Sequence, residues 1–173
     1  MTFPAYLWHP ILVHFSIALL TMASAFYALT ALWPRARLRP QWLTVAEWSL
    51  WVGFGLAVLT LLAGLLAFNT VEHNDAAHSA MQLHAVLALA TGAGFGLLAL
   101  WSRWQRKTKC YPSWSFLALL LVSFGLLVAT GLRGGELVYH YGLAVNVPAR
   151  SGADNTRDQS GHEHHQHDHK HAH

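Results

Sequence analysis

Four long apolar runs, separated by short polar loops, fill the first 133 residues: Ile11–Trp33, Val45–Phe68, Ala80–Trp101 and Ser115–Leu132. Each has roughly the 20 residues needed to cross a hydrocarbon core of about 30 Å. Glu47 is the only residue of formal charge inside any of them. In lipid every backbone polar group must be satisfied within the segment, which an uninterrupted helix does. The pattern predicts an all-α membrane protein, a four-transmembrane-helix bundle within residues 1–148, with helices over about 10–33, 45–68, 76–105 and 114–133. The first run is too long for a signal peptide, and no Lys or Arg precedes it.

Local signals mark the expected helix ends. Pro10 suits a first helical position. Thr44-Val45-Ala46-Glu47 has the form of a capping box, which starts helix 2 there and gives Glu47 a structural job. Asn74 or Asp75 caps helix 3, and Gly134-Gly135 stops helix 4. Gly92-x-x-x-Gly96 and Gly125-x-x-x-Ala129 are small-residue spacings suited to close helix contact. Trp33, Trp42, Trp101, Trp104 and Trp114 cluster at one boundary as interfacial anchors, with Trp8 at the other.

Beyond the helices the composition changes. Residues 149–173 form a separate tail: a polar linker over Arg150–Gly161, then seven histidines in the twelve residues from His162 to His173. Such a segment has nothing to bury and is expected to be disordered. Its imidazoles alternate with carboxylates, so His162, His164, His165, His167, His169, His171 and His173 are expected to chelate a divalent transition metal such as Cu²⁺, Ni²⁺, Zn²⁺ or Co²⁺.

Charge sets the expected orientation. Arg35, Arg37 and Arg39 lie in the first loop, and Arg103, Arg106, Lys107 and Lys109 in the third; the second holds Glu72 and Asp75 and no Lys or Arg. The positive-inside rule then places both termini and the second loop outside, in the periplasm of a bacterial inner membrane. The net charge of +3 is concentrated in these short loops, so it is a topology signal and not a nucleic-acid footprint. Cys110 is the single cysteine, which rules out an internal disulfide and Cys-rich metal sites.

The candidate chemistry lies in histidines near that outer face: His9, His14, His73, His78, His84 and His140. Imidazole is costly in lipid, so each invites an explanation. His14 lies about four residues inside helix 1, roughly 6 Å from its outer end, and His84 at a similar depth in helix 3. Matched depth suits two imidazoles on one metal, as in bis-histidine haem b or a bare transition metal. Ala63, Gly64 and Ala67 on helix 2, with Ala129 and Gly131 on helix 4, leave space for a porphyrin. Arg133 is the candidate contact for a haem propionate, or else pairs with a nearby carboxylate. His9, His78 and His140, with His73, are rim residues available for metal entry. The alternative for the inner pair is that each ring bonds a neighbour's backbone or hydroxyl and binds no ligand.

Two motifs carry a resemblance: Trp8-His9-Pro10-Ile-Leu-Val-His14-Phe15-Ser16 near the start, and Gly131-Leu-Arg-Gly134-Gly135-Glu-Leu137-Val138-Tyr139-His140-Tyr141-Gly142 after helix 4. With His84 they make the chain, from about Leu7 to Val147, similar to the bacterial membrane family called domain of unknown function 2231. The resemblance implies four helices. Relatives joined to Rieske-type or c-type cytochrome domains imply an association with electron transfer.

The expected function is an integral-membrane haem b protein that carries electrons near the outer face, a redox carrier or binding protein more than a stand-alone enzyme. Its partners would be membrane lipid, with a quinol or a periplasmic redox protein, and a homo-oligomer is compatible; nucleic acid is not. The rival readings are periplasmic-side handling of divalent transition metals, fed by the tail, and a structural or assembly subunit without a cofactor.

Overall fold

The computed structural model describes residues 8–70, 75–106 and 112–139. His73, His140, the side chain of His78 and the histidine-rich tail lie outside the described residues. The expected four helices are present: α1 (Trp8–Leu32), α2 (Arg39–Thr70), α3 (Asp75–Gln105) and α4 (Trp114–Tyr139). All four are long and apolar enough to cross a membrane. They pack in a ring, α1 on α2, α2 on α3, α3 on α4 and α4 back on α1, which leaves α1 and α3 diagonally opposed.

Helix rotation decides which residues enter the core. On α1 the buried stripe runs Ser16, Leu20, Ala23, Tyr27, Thr30, alternating steps of four and three residues. Large apolar side chains such as Leu32, Val86, Leu100 and Leu121 cover the outside. Lipid solvates such a surface as well as another helix does, so cohesion comes from close packing and interhelical hydrogen bonds.

Two helix ends differ from the expected ones. The second helix starts at Arg39, five residues before Thr44. Pro40 sits in its first turn, where a missing N–H costs nothing and the fixed φ favours the helix. Thr44 is therefore inside the helix and donates its hydroxyl to the Pro40 carbonyl at 3.1 Å. Glu47 is no cap; its buried carboxylate pairs with Arg106 at 2.8 Å, joining α2 to the end of α3. The fourth helix runs through Gly134-Gly135 to Tyr139. A glycine pair does not break a helix whose alternatives would expose backbone groups to lipid. At the other end of α4, Ser113 accepts the Phe116 N–H at 3.3 Å and the Gln105 side-chain amide at 2.6 Å, tying α3 to α4.

The hairpin α1–α2 resembles the hairpin α3–α4. A shift of 75 residues carries the buried positions of α1 onto those of α3: Ser16 to Thr91, Leu20 to Phe95, Ala23 to Leu98, Tyr27 to Ser102. A shift of 70 carries α2 onto α4. Val52-Gly-Phe-Gly-Leu-Ala-Val-Leu-Thr60-Leu-Leu-Ala-Gly64 aligns with Val122-Ser-Phe-Gly-Leu-Leu-Val-Ala-Thr130-Gly-Leu-Arg-Gly134, eight of thirteen positions being identical. Because α1 and α3 run in the same direction, the two hairpins are parallel repeats about an axis along the membrane normal.

Small residues in the two hairpins have swapped places. In the first, Gly53 receives Leu19 and Leu20; a Cβ there would stand 3.0 Å from each. In the second, the helix-3 counterpart of Leu19 is Gly94, and the counterpart of Gly53 is Ser123, whose Oγ would stand 2.5 Å from a Cβ at Gly94. Gly94→Ala is thus expected to destabilise the bundle by about 1–3 kcal/mol through overpacking. Ser123→Gly in the same chain should restore most of that, as read by denaturant unfolding in detergent. Gly92 and Gly96 do make close contact, with Leu61 and Phe54 of α2. Gly125 does not: no heavy atom lies within 4 Å of a Cβ placed there.

Candidate ligand site at the histidine end of the bundle

The histidine on α1 that enters the bundle is His9, not His14. His14 is exposed, and its Nδ1–H donates to the Pro10 carbonyl of its own helix at 2.6 Å. The facing of His14 and His84 expected from matched depth is therefore not formed. Five residues turn a helix by about 140°, so His9 and His14 cannot share a face. His9 occupies the interior side, seven residues before Ser16 on the buried stripe.

His9 is held by α2. Its Nδ1–H donates to the Thr60 carbonyl at 2.9 Å. Its ring lies on Gly64, where a Cβ would come within 2.9 Å of Cε1. One heptad further along α1, Ser16 Oγ meets Thr60 Oγ1 at 3.0 Å. Thr60 also returns its hydroxyl to the Leu56 carbonyl at 2.8 Å. Threonine and glycine four residues apart lie on one helix face, so a single surface of α2 serves both the ring and the hydroxyl.

His84 stands in the equivalent place in the second hairpin. Its ring lies on Gly134, where a Cβ would come within 3.1 Å of Cε1. The Thr130 backbone and His9 both lie near the ring. One heptad on, Thr91 Oγ1 meets Thr130 Oγ1 at 2.9 Å, and Thr130 returns its hydroxyl to Leu126 at 2.8 Å. One detail differs: among the described residues, His84 Nδ1 is buried with no hydrogen-bond partner. An unpaired buried polar atom of this kind costs roughly 1–3 kcal/mol.

Space remains at this end of the bundle. A Cβ at Gly135 would have no neighbour within 4 Å, and one at Gly131 would meet only Ile17 Cδ1 at 3.9 Å. A cleft of about 310 Å³ between α3 and α4 is lined by Ser79, Ala80, Leu83, Arg133, Glu136 and Leu137. Arg133 makes the local pairing that was one of its two expected roles, with Glu136 at 2.7 Å, and remains half exposed at the cleft. Among the described residues no three His, Cys, Asp or Glu side chains group as a metal-ion site.

Sequence reading missed Thr60, Gly64, Thr130 and Gly134 as a set, and it placed His9 on the rim. The signal available was the doubled Thr-x-x-x-Gly at the ends of the two aligned segments. A family model described as a predicted membrane protein (DUF2231) matches residues 7–147. No curated protein and no solved structure matches the chain.

Proposed function

The chain belongs to the family of predicted membrane proteins DUF2231, and from that premise we propose that it is a b-type haem protein of the bacterial inner membrane that carries electrons near the periplasmic face. The observation that carries this reading is the interior pair His9 and His84, on diagonal helices at one end of the bundle, each ring seated on a glycine of the neighbouring helix. Bundle proteins build cofactor sites in this way, from facing side chains around the axis.

The number of ligands favours haem over a bare ion. A bare transition metal bound by protein alone takes about four donors. Haem brings four nitrogens of its own and asks the protein for two axial groups. The described residues offer two imidazoles and no larger group. His9 replaces His14 as the partner of His84 in this reading. Arg133 at the neighbouring cleft is the cation available to a propionate, in exchange for Glu136.

Bound haem would supply a one-electron iron couple. A reduced donor such as a quinol or a periplasmic redox protein would fill it, and an oxidised carrier would empty it. The basic first and third loops support the periplasmic placement of both termini and of this end of the bundle.

The test is a spectrum. Protein produced with ample haem and purified in detergent should show a Soret band that sharpens and shifts on reduction, with the low-spin signature of six-coordinate bis-histidine iron. A colourless protein, or a high-spin five-coordinate spectrum, would overturn the reading.

A further inference from the structure

The two Thr-x-x-x-Gly segments are the most specific feature that helix packing alone leaves unexplained. Close approach of two helices needs small residues, but not a threonine whose carbonyl meets a ring nitrogen. Nor does it need a histidine seven residues before a hydroxyl of its own helix that meets the threonine hydroxyl. Both hairpins have all four parts: His9, Ser16, Thr60 and Gly64 in one, His84, Thr91, Thr130 and Gly134 in the other.

We infer that each hairpin is a half-site in which glycine seats the imidazole and the threonine carbonyl takes its Nδ1–H, so that both Nε2 atoms face one ligand held on the axis between the repeats. The chemistry of the parts fits this role. A ligating imidazole commonly donates its second N–H to a backbone carbonyl, which fixes the tautomer and the ring orientation. His9 already makes that bond with Thr60. In the second hairpin the His84 ring lies on Gly134, one turn from Thr130, and its buried Nδ1 is unpaired. A bond from that Nδ1–H to the Thr130 carbonyl, the equivalent of the one His9 makes, would pair the atom. The ligand must accept two like donors from opposite sides, as a metal centre with two open axial positions does. The inference rests on the haem reading for the identity of that centre; the seating of the rings does not depend on it.

Two matched pairs of glycine substitutions in the full chain test this. Gly64→Ala and Gly134→Ala put a Cβ against the His9 and His84 rings respectively. Gly55→Ala and Gly125→Ala are repeat-equivalent controls with open space around the new methyl. Haem retention should fall roughly 10–100-fold in each of the first pair, as for other groups that orient a ligand, and stay within about twofold in the controls.

A second measurement uses protein without haem, with ¹⁵N-labelled histidine in lipid nanodiscs. Both rings should be the Nδ1–H tautomer; Gly64→Ala should shift the His9 nitrogens and spare His84, and Gly134→Ala should do the reverse. If Gly64→Ala or Gly134→Ala does not fold, Ser16→Ala and Thr91→Ala, which remove the equivalent hydroxyl bridges, replace them with the same expected symmetry. Absence of haem with this nitrogen pattern would sink the haem reading and leave the half-sites standing. An Nε2–H tautomer at either ring, or a glycine pair in which only one member disturbs its histidine, would overturn the inference whether or not haem binds.

Discussion

Alanine at His9 or at His84 is expected to strip the haem, with retention falling on the order of tenfold or more in either variant, while His14→Ala leaves it within about twofold. On the proposed reading each interior imidazole would supply half of the axial ligation, and iron left with one would lose both the bond and the orientation it enforced. His14 is exposed and bonded to its own helix, so its removal costs a single hydrogen bond to Pro10. Haem-to-protein ratio and the reduced-minus-oxidised spectrum of the purified variants measure the difference. Added imidazole should return the low-spin spectrum to His9→Gly and His84→Gly, which separates a missing ligand from a collapsed bundle. Loss of haem from His14→Ala with retention in His9→Ala would restore the pairing that depth alone suggests.

That contrast shows where sequence reasoning stops. Depth along a helix follows from a rise of about 1.5 Å per residue and survives small errors in the starting point. Facing follows from a turn of about 100° per residue, and an error of one residue moves a side chain a quarter of the way round. Counting from the start of the apolar run put His14 and His84 level, and said nothing of rotation. The spans themselves were legible because hydrocarbon thickness fixes their length. The start of α2 was misread because Thr44 and Glu47 imitate a capping box, while Pro40 four residues before Thr44 is the stronger constraint. Gly134 read as a helix stop for a related reason. Its flexibility is visible in sequence, but the His84 ring that needs the space comes from another helix. The repeat was legible as well, since Val-x-Phe-Gly-Leu-x-Val-x-Thr-x-Leu-x-Gly recurs after 70 residues. Aligning the chain with itself brings His84 over His9 and passes over His14.

The largest expected loss of stability lies at the opposite end of the bundle, at Phe116. Its side chain is fully buried, edge-on to Tyr27 at 4.9 Å between ring centroids and to Trp101 at 6.0 Å. In water, Phe→Ala in a core costs about 3–5 kcal/mol. Lipid removes part of that cost, because the unfolded helix already keeps its phenyl ring in an apolar medium. The cavity remains: a lost ring of on the order of 100 Å³ at roughly 24 cal/mol per Å³ gives about 2 kcal/mol, and two edge-to-face contacts add about 0.5–1.5 kcal/mol each. Phe116→Ala is therefore expected to cost about 3–5 kcal/mol, read as the shift in an SDS or steric-trap unfolding curve. Leu121→Ala, on the lipid face of the same helix, should stay within about 0.5 kcal/mol. Because Phe116 and His84 lie at opposite ends of the bundle, the folded fraction of Phe116→Ala should keep an unchanged haem spectrum. A spectrum altered in that variant would mean that the aromatic cluster and the histidine pair are coupled through the helices, and that the two ends of the bundle do not pack independently.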